Sequence, residues 1–229
     1  MHLITWFNLI VKKIFFLSFL ATFILNGCKP SEFKADIYTT DIEIASEGKV
    51  IDVPVSVTFT LMGKDKDRIF DRVVNLSKKY LHPDSTFSKS KAMIGERLVI
   101  DTRLPMGTTD SLGSFMQSNP RLAIFKVSSE NGKKILTLEA TKFSKLLSSE
   151  MRDINLMLSL ELPPKKSFLK ILSDSRNVTN ISATAVFVSK KPHLNFSKEL
   201  ERRDSIEIEF KGGSESVYSE IPPVIVISN

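Results

Sequence analysis

The sequence predicts an α+β fold, a mostly antiparallel sheet with two or three helices packed on it. Three observations carry this. Val53 to Leu61 and Ile206 to Phe210 alternate apolar and polar residues, the period of a strand with one buried face. Asp65 to Leu81 carries its apolar residues at helical spacing. Ser129-Glu130-Asn131-Gly132, between the apolar runs Leu122–Val127 and Ile135–Leu138, is a hairpin signal.

In chain order, Phe33, Ala35, Ile37 and Thr39 share a parity and predict a first strand. In the second, Val53, Val55, Val57, Phe59 and Leu61 alternate with Pro54, Ser56, Thr58 and Thr60. Pro54 lacks a donor, which suits an edge or a strand start, and Gly63 breaks the run. Ile69, Phe70, Val73, Val74, Leu76, Tyr80 and Leu81 form one helical stripe, which His82-Pro83 ends. Asp65 and Asp67 near its start and Lys78 and Lys79 near its end suit the helix dipole. Leu98, Ile100, Thr102 and Leu104 predict a strand. Gly107 to Asn119, rich in Gly, Ser, Thr and Asp, predicts a loop.

Beyond the hairpin, Phe143, Leu146, Leu147 and Met151 are helically spaced. Ile154, Leu156, Leu158, Leu160 and Leu162 alternate before Pro163-Pro164 and predict a strand, and Phe168 to Leu172 predicts a short helix. Ile181, Ala183, Ala185 and Phe187 predict another strand, as do Ile206, Ile208 and Phe210; Val224 to Ile227 is the candidate to close the sheet. Residues 53–104 and 154–187 then read alike, strand, charged turn, helix, strand. That admits two similar units, although they share pattern and not residues.

The composition is globular, with 42% hydrophobic and 25% charged residues. The length suits a single α+β domain over residues 33–229 behind an N-terminal segment. The formal charge is +6, from 32 basic and 26 acidic residues. The basic residues are mixed with acids instead of gathered on a stripe, so no nucleic-acid partner is expected. One cysteine, Cys28, excludes an internal disulfide.

Residues 1–27 read as an export signal. Lys12 and Lys13 supply positive charge, and Ile14 to Ile24 is an uncharged apolar run. Leu25-Asn26-Gly27-Cys28 follows and resembles the lipobox of bacterial lipoproteins: an aliphatic residue, a variable one, a small one, then cysteine. Asn26 departs from the usual small or aliphatic choice. The resemblance implies cleavage before Cys28, a diacylglyceride on its sulfur and an N-acyl chain, and therefore a membrane as partner through the acyl chains. Lys29, where aspartate would mark retention in an inner membrane, implies by the same resemblance an outer membrane and a domain facing the periplasm. Removing the leader also removes Lys12 and Lys13, leaving 30 basic residues against 26 acidic ones, or +4. Residues 28–32 would be a short tether, under about 20 Å even if fully extended.

No catalytic constellation stands out. His2 would leave with the leader, and His82 and His193 read as exposed loop residues in no metal-ligand spacing. Asp65, Asp67 and Asp71 fail the calcium-loop pattern, because Phe70 and Leu76 hold the positions that need Gly and Glu. Gly107 to Gly113 carries Asp110 and Ser111 without a nucleophile elbow. Glu207 and Glu209 alternate with Ile206 and Ile208 on the outward face of a strand, and Gly212-Gly213 reads as a turn. No metal or cofactor is expected.

Phe33-Lys34-Ala35-Asp36-Ile37-Tyr38, with the Val53–Leu61 strand, resembles the opening of uncharacterised lipoproteins of prophages and plasmids. That likeness implies a mobile-element setting, such as blocking superinfection at the envelope, and no activity. The expected function is that of an anchored envelope lipoprotein working by protein–protein contact with an envelope partner. The alternatives are a periplasmic ligand-binding protein, which needs a sizeable apolar cavity, or an envelope enzyme with a dispersed site, for which Asp65, Asp67, Asp110 and His82 are the residues to test.

Overall fold

The computed structural model describes residues 30–61, 66–92, 95–154, 162, 164, 166–211 and 224–228. Within them run β1 (Pro30–Tyr38), α1 (Thr39–Ser46), β2 (Ile51–Leu61), α2 (Lys66–Ser77) with a 3-10 turn (Lys78–Tyr80), β3 (Thr86–Lys91), β4 (Glu96–Gly107) and α3 (Thr109–Ser118). Then follow β5 (Ala123–Glu130), β6 (Lys133–Ala140), α4 (Lys142–Ile154), β7 (Lys166–Leu172), β8 (Thr179–Val188), β9 (Lys191–Leu200), β10 (Ser205–Lys211) and β11 (Val224–Ser228).

The strands form one sheet in the order β10-β7-β1-β2-β4-β5-β6-β11-β8-β9, with β3 on β4. A short pairing of β10 with β8, Ile208 opposite Val188 and Glu209 opposite Phe187, closes nine of them into a barrel. Two junctions are parallel, β7–β1 and β4–β5. The other seven, β1–β2, β2–β4, β5–β6, β6–β11, β11–β8, β8–β10 and β10–β7, are antiparallel. An odd number of reversals cannot bring a ring of straight strands back to its starting direction, so one strand has to turn. β8 pairs with β11 over Asn180 to Ala183 and with β10 at Phe187 and Val188. Between these stretches Ala185 has φ 54°, a left-handed conformation. The buried set changes parity there, from Thr179, Ile181 and Ala183 to Val186.

The barrel interior is filled by side chains. Phe33, Ile37, Val53, Met106, Phe125, Leu136, Leu138, Leu169, Ile171, Ile181, Ile208 and Ile225 are all buried in one cluster, and Ile42 and Ala45 of α1 join it. Lys34, Asp36, Asp101, Arg103 and Glu207 face outward and are exposed. This is the reverse of the lipid-facing pattern of a membrane barrel. No helix among the described residues is long and apolar enough to cross a membrane.

A second core lies above the first. β2 holds one edge of β4 throughout, while β3 and β5 share the other, and β5 reaches only Met106 and Gly107. The upper inward face of β2 and β4, with Phe59, Leu98 and Ile100, is covered by Val73, Tyr80 and Leu81 and by Leu147 and Met151 of α4. Ring stacking of Tyr80 on Phe143 at 5.9 Å ties the two helical segments together.

The α+β class, the β5–β6 hairpin and the strands at 53–61, 98–104, 181–187, 206–210 and 224–227 stand as expected. Asn131 (φ 51°) and Gly132 (φ 76°) make the hairpin turn. Other expectations are corrected. Residues 109–118 are helix α3 and not loop: Thr108 caps it by accepting from the Ser111 N–H, and Asp110 sits in the first turn. Gly107 is fixed by crowding, since a Cβ there would lie 2.7 Å from Ser111 Oγ and 3.3 Å from the Lys49 carbonyl oxygen.

Residues 168–172 belong to β7, a strand inside the ring, and not to a helix. Ile154 ends α4 and Leu162 lies in a bend; 155–161 fall outside the described residues, so the strand expected at 154–162 does not stand at its ends. With a strand at 168–172 and a helix ending at 154, the second strand-helix-strand unit is overturned. Leu146, expected in the buried stripe, is 49% exposed, and Ser144 and Ser148 take its place. Pro54 is in a strand flanked on both sides, but the β1 ladder ends at Ala35 opposite Val55, one residue before it. Helix α1 and strands β3 and β9 are additional elements, so the described residues hold four α-helices where two or three were expected.

Candidate functional site

The first candidate is the anchor end. Cys28 and the leader lie outside the described residues, as do Asp65 and Gly212-Gly213. β1 starts at Pro30, inside the 28–32 stretch expected as a tether. Pro30 stands opposite Phe59, Phe59 opposite Leu98, and Leu98 opposite Lys89. The start of β1 therefore lies at the same end of the sheet as the β3–β4 hairpin. There Lys89 Nζ bridges Glu96 Oε2 at 2.9 Å and the Asp67 carboxylate. The hydrogen bonds it donates to those two carboxylates hold the ammonium above its ordinary pKa. Lys91 and Arg97 beside it are exposed.

The second candidate is a polar cluster around His82. Contrary to expectation, His82 is not a free loop residue: its side chain is only 17% exposed. Its Nδ1 accepts from the Asp84 N–H at 3.2 Å, which leaves Nε2 as the N–H, and Nε2 lies 3.6 Å from Asp52 Oδ2. The His82 N–H donates to Thr102 Oγ1 (3.3 Å), and Ser85 Oγ donates to the His82 carbonyl. Arg121 is close enough to Asp52 for the two charges to interact. Burial lowers the guanidinium pKa and Asp52 partly restores it. Arg121 Nη1 donates to the Pro120 carbonyl at 2.9 Å, and its guanidinium lies 5.8 Å from the Phe115 ring centre.

The cluster resembles a catalytic set only by composition. Ser85 Oγ contacts the His82 backbone and Thr102 Oγ1 rather than the imidazole, so no nucleophile meets a base. The arrangement clamps residues 81–85 onto β2 and β4. The residues singled out in the sequence are not brought together. Asp67 pairs with Lys89, Asp110 is exposed at the start of α3, and His82 is held by Asp52 and Asp84. Asp52 and Arg121 carried no sequence signal, because their meeting depends on barrel closure. His193 sits on β9 with its ring 5.4 Å from Phe196. Among the described residues no group of three His, Cys, Asp or Glu could hold a metal ion.

A third structured polar feature fixes α1. Asp174 Oδ1 accepts from the Thr40 N–H and from Thr39 Oγ1, both at 3.0 Å, and Oδ2 accepts from Thr40 Oγ1. Burial pushes this carboxyl up, but the hydrogen bonds together outweigh it and its pKa lies below the usual value. Asp41, in the first turn of α1, is pushed up by burial and by Asp174.

Among the described residues an apolar cavity lies between the two cores, lined among others by Phe59, Ser77, Ile100, Thr102 and Met151. Its volume is about 30 Å³, far below the roughly 300 Å³ at which small-molecule pockets begin. Two open clefts lie on the outer surface. One, of about 450 Å³, runs over Lys34, Asp36, Asp84, Asp101 and Arg103, and the other, of about 650 Å³, over Lys166, Phe168, Lys190, Glu207 and Glu209. Both mix charges of the two signs.

No protein-family model matches the chain, and no curated protein is significantly similar to it. Among solved structures, the NMR structure of the folded domain of the Mycobacterium tuberculosis LppM protein aligns over 81% of this chain and 90% of that one, at 12% identity and a TM-score of 0.28. At that score the likeness is distant and supports no functional conclusion.

Proposed function

We propose that the chain is a lipid-anchored envelope protein, cut before Cys28 and acylated on that cysteine, whose barrel domain works by contact with another envelope protein. The observation that carries the reading is the spacing of leader and fold. An export-type apolar run ends in Leu25-Asn26-Gly27-Cys28, and ordered strand begins two residues later at Pro30. A lipid on Cys28 would hold the domain against the bilayer, with its charged outer surface free for a partner. Lys29 favours the outer membrane and a periplasmic domain.

The cavity between the two cores of the described residues, at about 30 Å³, is space for little more than one water; the reading rests on the outer surface. The His82 cluster gives a dispersed enzyme site no nucleophile. Fractionation of cells expressing wild type and Cys28→Ala tests the anchor, and in-cell crosslinking of the tagged protein tests the partner. The expected result is membrane-bound wild type, release of Cys28→Ala from the processed membrane form, and one envelope protein crosslinked to wild type above background. Unchanged processing and retention of Cys28→Ala would contradict the anchor. Crosslinks to nothing specific would contradict the partner.

A further inference from the structure

We propose that the end of the β3–β4 hairpin is a second membrane contact, in which Lys91 and Arg97 meet anionic phospholipid headgroups; this rests on lipidation of Cys28. Strand registers place it. Lys89 reaches the height of Pro30 through Leu98 and Phe59, across adjacent strands. Two residues further along β3, Lys91 stands opposite Glu96. Cys28 is two residues before Pro30 in the sequence, so in any conformation it lies within about 7 Å of it, and an acylated Cys28 would bring this end of the sheet, with the β3–β4 hairpin, to the bilayer surface.

The chemistry at that height is basic. Lys89 engages both Asp67 and Glu96, so that trio carries a net −1, and with Lys91 and Arg97 the group comes to +1, its two unpaired charges both positive. Lys91, on the same side of the hairpin as Lys89, and Arg97, on the opposite side, are exposed and make no ion pair among the described residues. Ser88 and Ser90 of β3 are small, polar and exposed. At the opposite end of the barrel the β5–β6 turn carries Glu130 beside Lys133 and Lys134 pairs with Glu43 at 3.7 Å, so the basic excess is not shared by both ends. The contact would turn a domain swivelling on a short tether into one held in a fixed orientation, presenting the same outer face to its partner.

Acylation of Cys28 removes the only native thiol, so Ser90→Cys and Ser129→Cys each supply one reactive thiol at opposite ends of the barrel. The lipidated full-length variants are purified from membranes, checked by intact mass and placed in vesicles of phosphatidylcholine alone or with phosphatidylglycerol. The readout is the reaction rate with a membrane-impermeant maleimide. Two basic residues shift the docked-to-undocked ratio by roughly thirtyfold, about 1 kcal/mol each.

The expected result is labelling of Ser90→Cys slowed at least about fivefold by phosphatidylglycerol, with Ser129→Cys unchanged. Adding Lys91→Glu and Arg97→Glu should restore the fast rate. Equal slowing of both thiols, or none, in protein whose mass shows the lipid would overturn the hairpin contact and leave the anchor standing. A mass without lipid would overturn the anchor and the contact with it.

Discussion

Ala185 is the position at which the closure of the barrel can be tested by sign alone. It lies within β8, between the paired residues Thr184 and Val186, yet it is itself unpaired and its φ is 54°. A left-handed conformation costs an L-residue roughly 1–2 kcal/mol, while glycine adopts it freely and loses roughly 0.5–1 kcal/mol of chain entropy on being ordered. Ala185→Gly should therefore be neutral to stabilising, by up to about 1 kcal/mol. Ala185→Val, favourable at an ordinary strand position, should destabilise by about 2 kcal/mol or more, because a β-branched side chain is a genuine outlier at positive φ.

Ala183, two residues earlier, is the control. It is 5% exposed in the regular part of β8, and Ala183→Gly should cost about 1–2 kcal/mol through lost burial and added chain entropy. Urea unfolding at neutral pH followed by circular dichroism reads all three. If Ala185→Val stabilised and Ala185→Gly behaved like Ala183→Gly, β8 would not turn at Ala185, and the ring would have to reverse at another position.

Three further outcomes follow from the packing and charges. Leu147→Ala should cost about 2–5 kcal/mol and Leu146→Ala under about 0.5 kcal/mol in the same denaturation assay, because Leu147 is fully buried and Leu146 is half exposed. Ser77 Oγ is buried beside the apolar cavity without a hydrogen-bond partner among the described residues; Ser77→Ala should therefore stabilise by about 0.5–1 kcal/mol, and a loss above that size would mean the hydroxyl is bonded. Asp174 has a depressed folded pKa, so its contribution is present above the ordinary aspartate value of about 3.9 and is lost as pH falls below it. Asp174→Asn should cost about 1 kcal/mol at pH 7, a figure reduced for solvent screening, and should flatten the acid limb of a stability–pH curve; an unchanged acid limb would remove Asp174 from the account of how α1 is held.

What was legible in the sequence follows from what each residue faces. Val53 to Phe59 and Ile206 to Phe210 each have one face in the core and one in water, so their alternation is written out. β3 and β9 are exposed on most positions of both faces, and a strand with no buried face leaves no period to read. Phe168, Leu169, Ile171 and Leu172 suit a helix by spacing; in the ring Ser167, Leu169 and Ile171 turn inward, while Phe168 packs under Lys34 at 5.7 Å. In α3 a single buried residue, Leu112, lets Gly, Ser and Thr dominate the composition, although its Thr108 cap was present to be read. The His82 cluster joins Asp52 and Arg121 across strands and a loop, and the α1 clamp joins Thr39 to Asp174 across 135 residues. Neither leaves a local motif.

The most direct test of the central claim is the intact mass of the protein extracted from membranes in detergent. The expected mass is that of a chain beginning at Cys28 and carrying a diacylglyceryl group and a further acyl chain, both lost in Cys28→Ala. A membrane-extracted chain that still begins at Met1, or one with an unmodified Cys28, would contradict it.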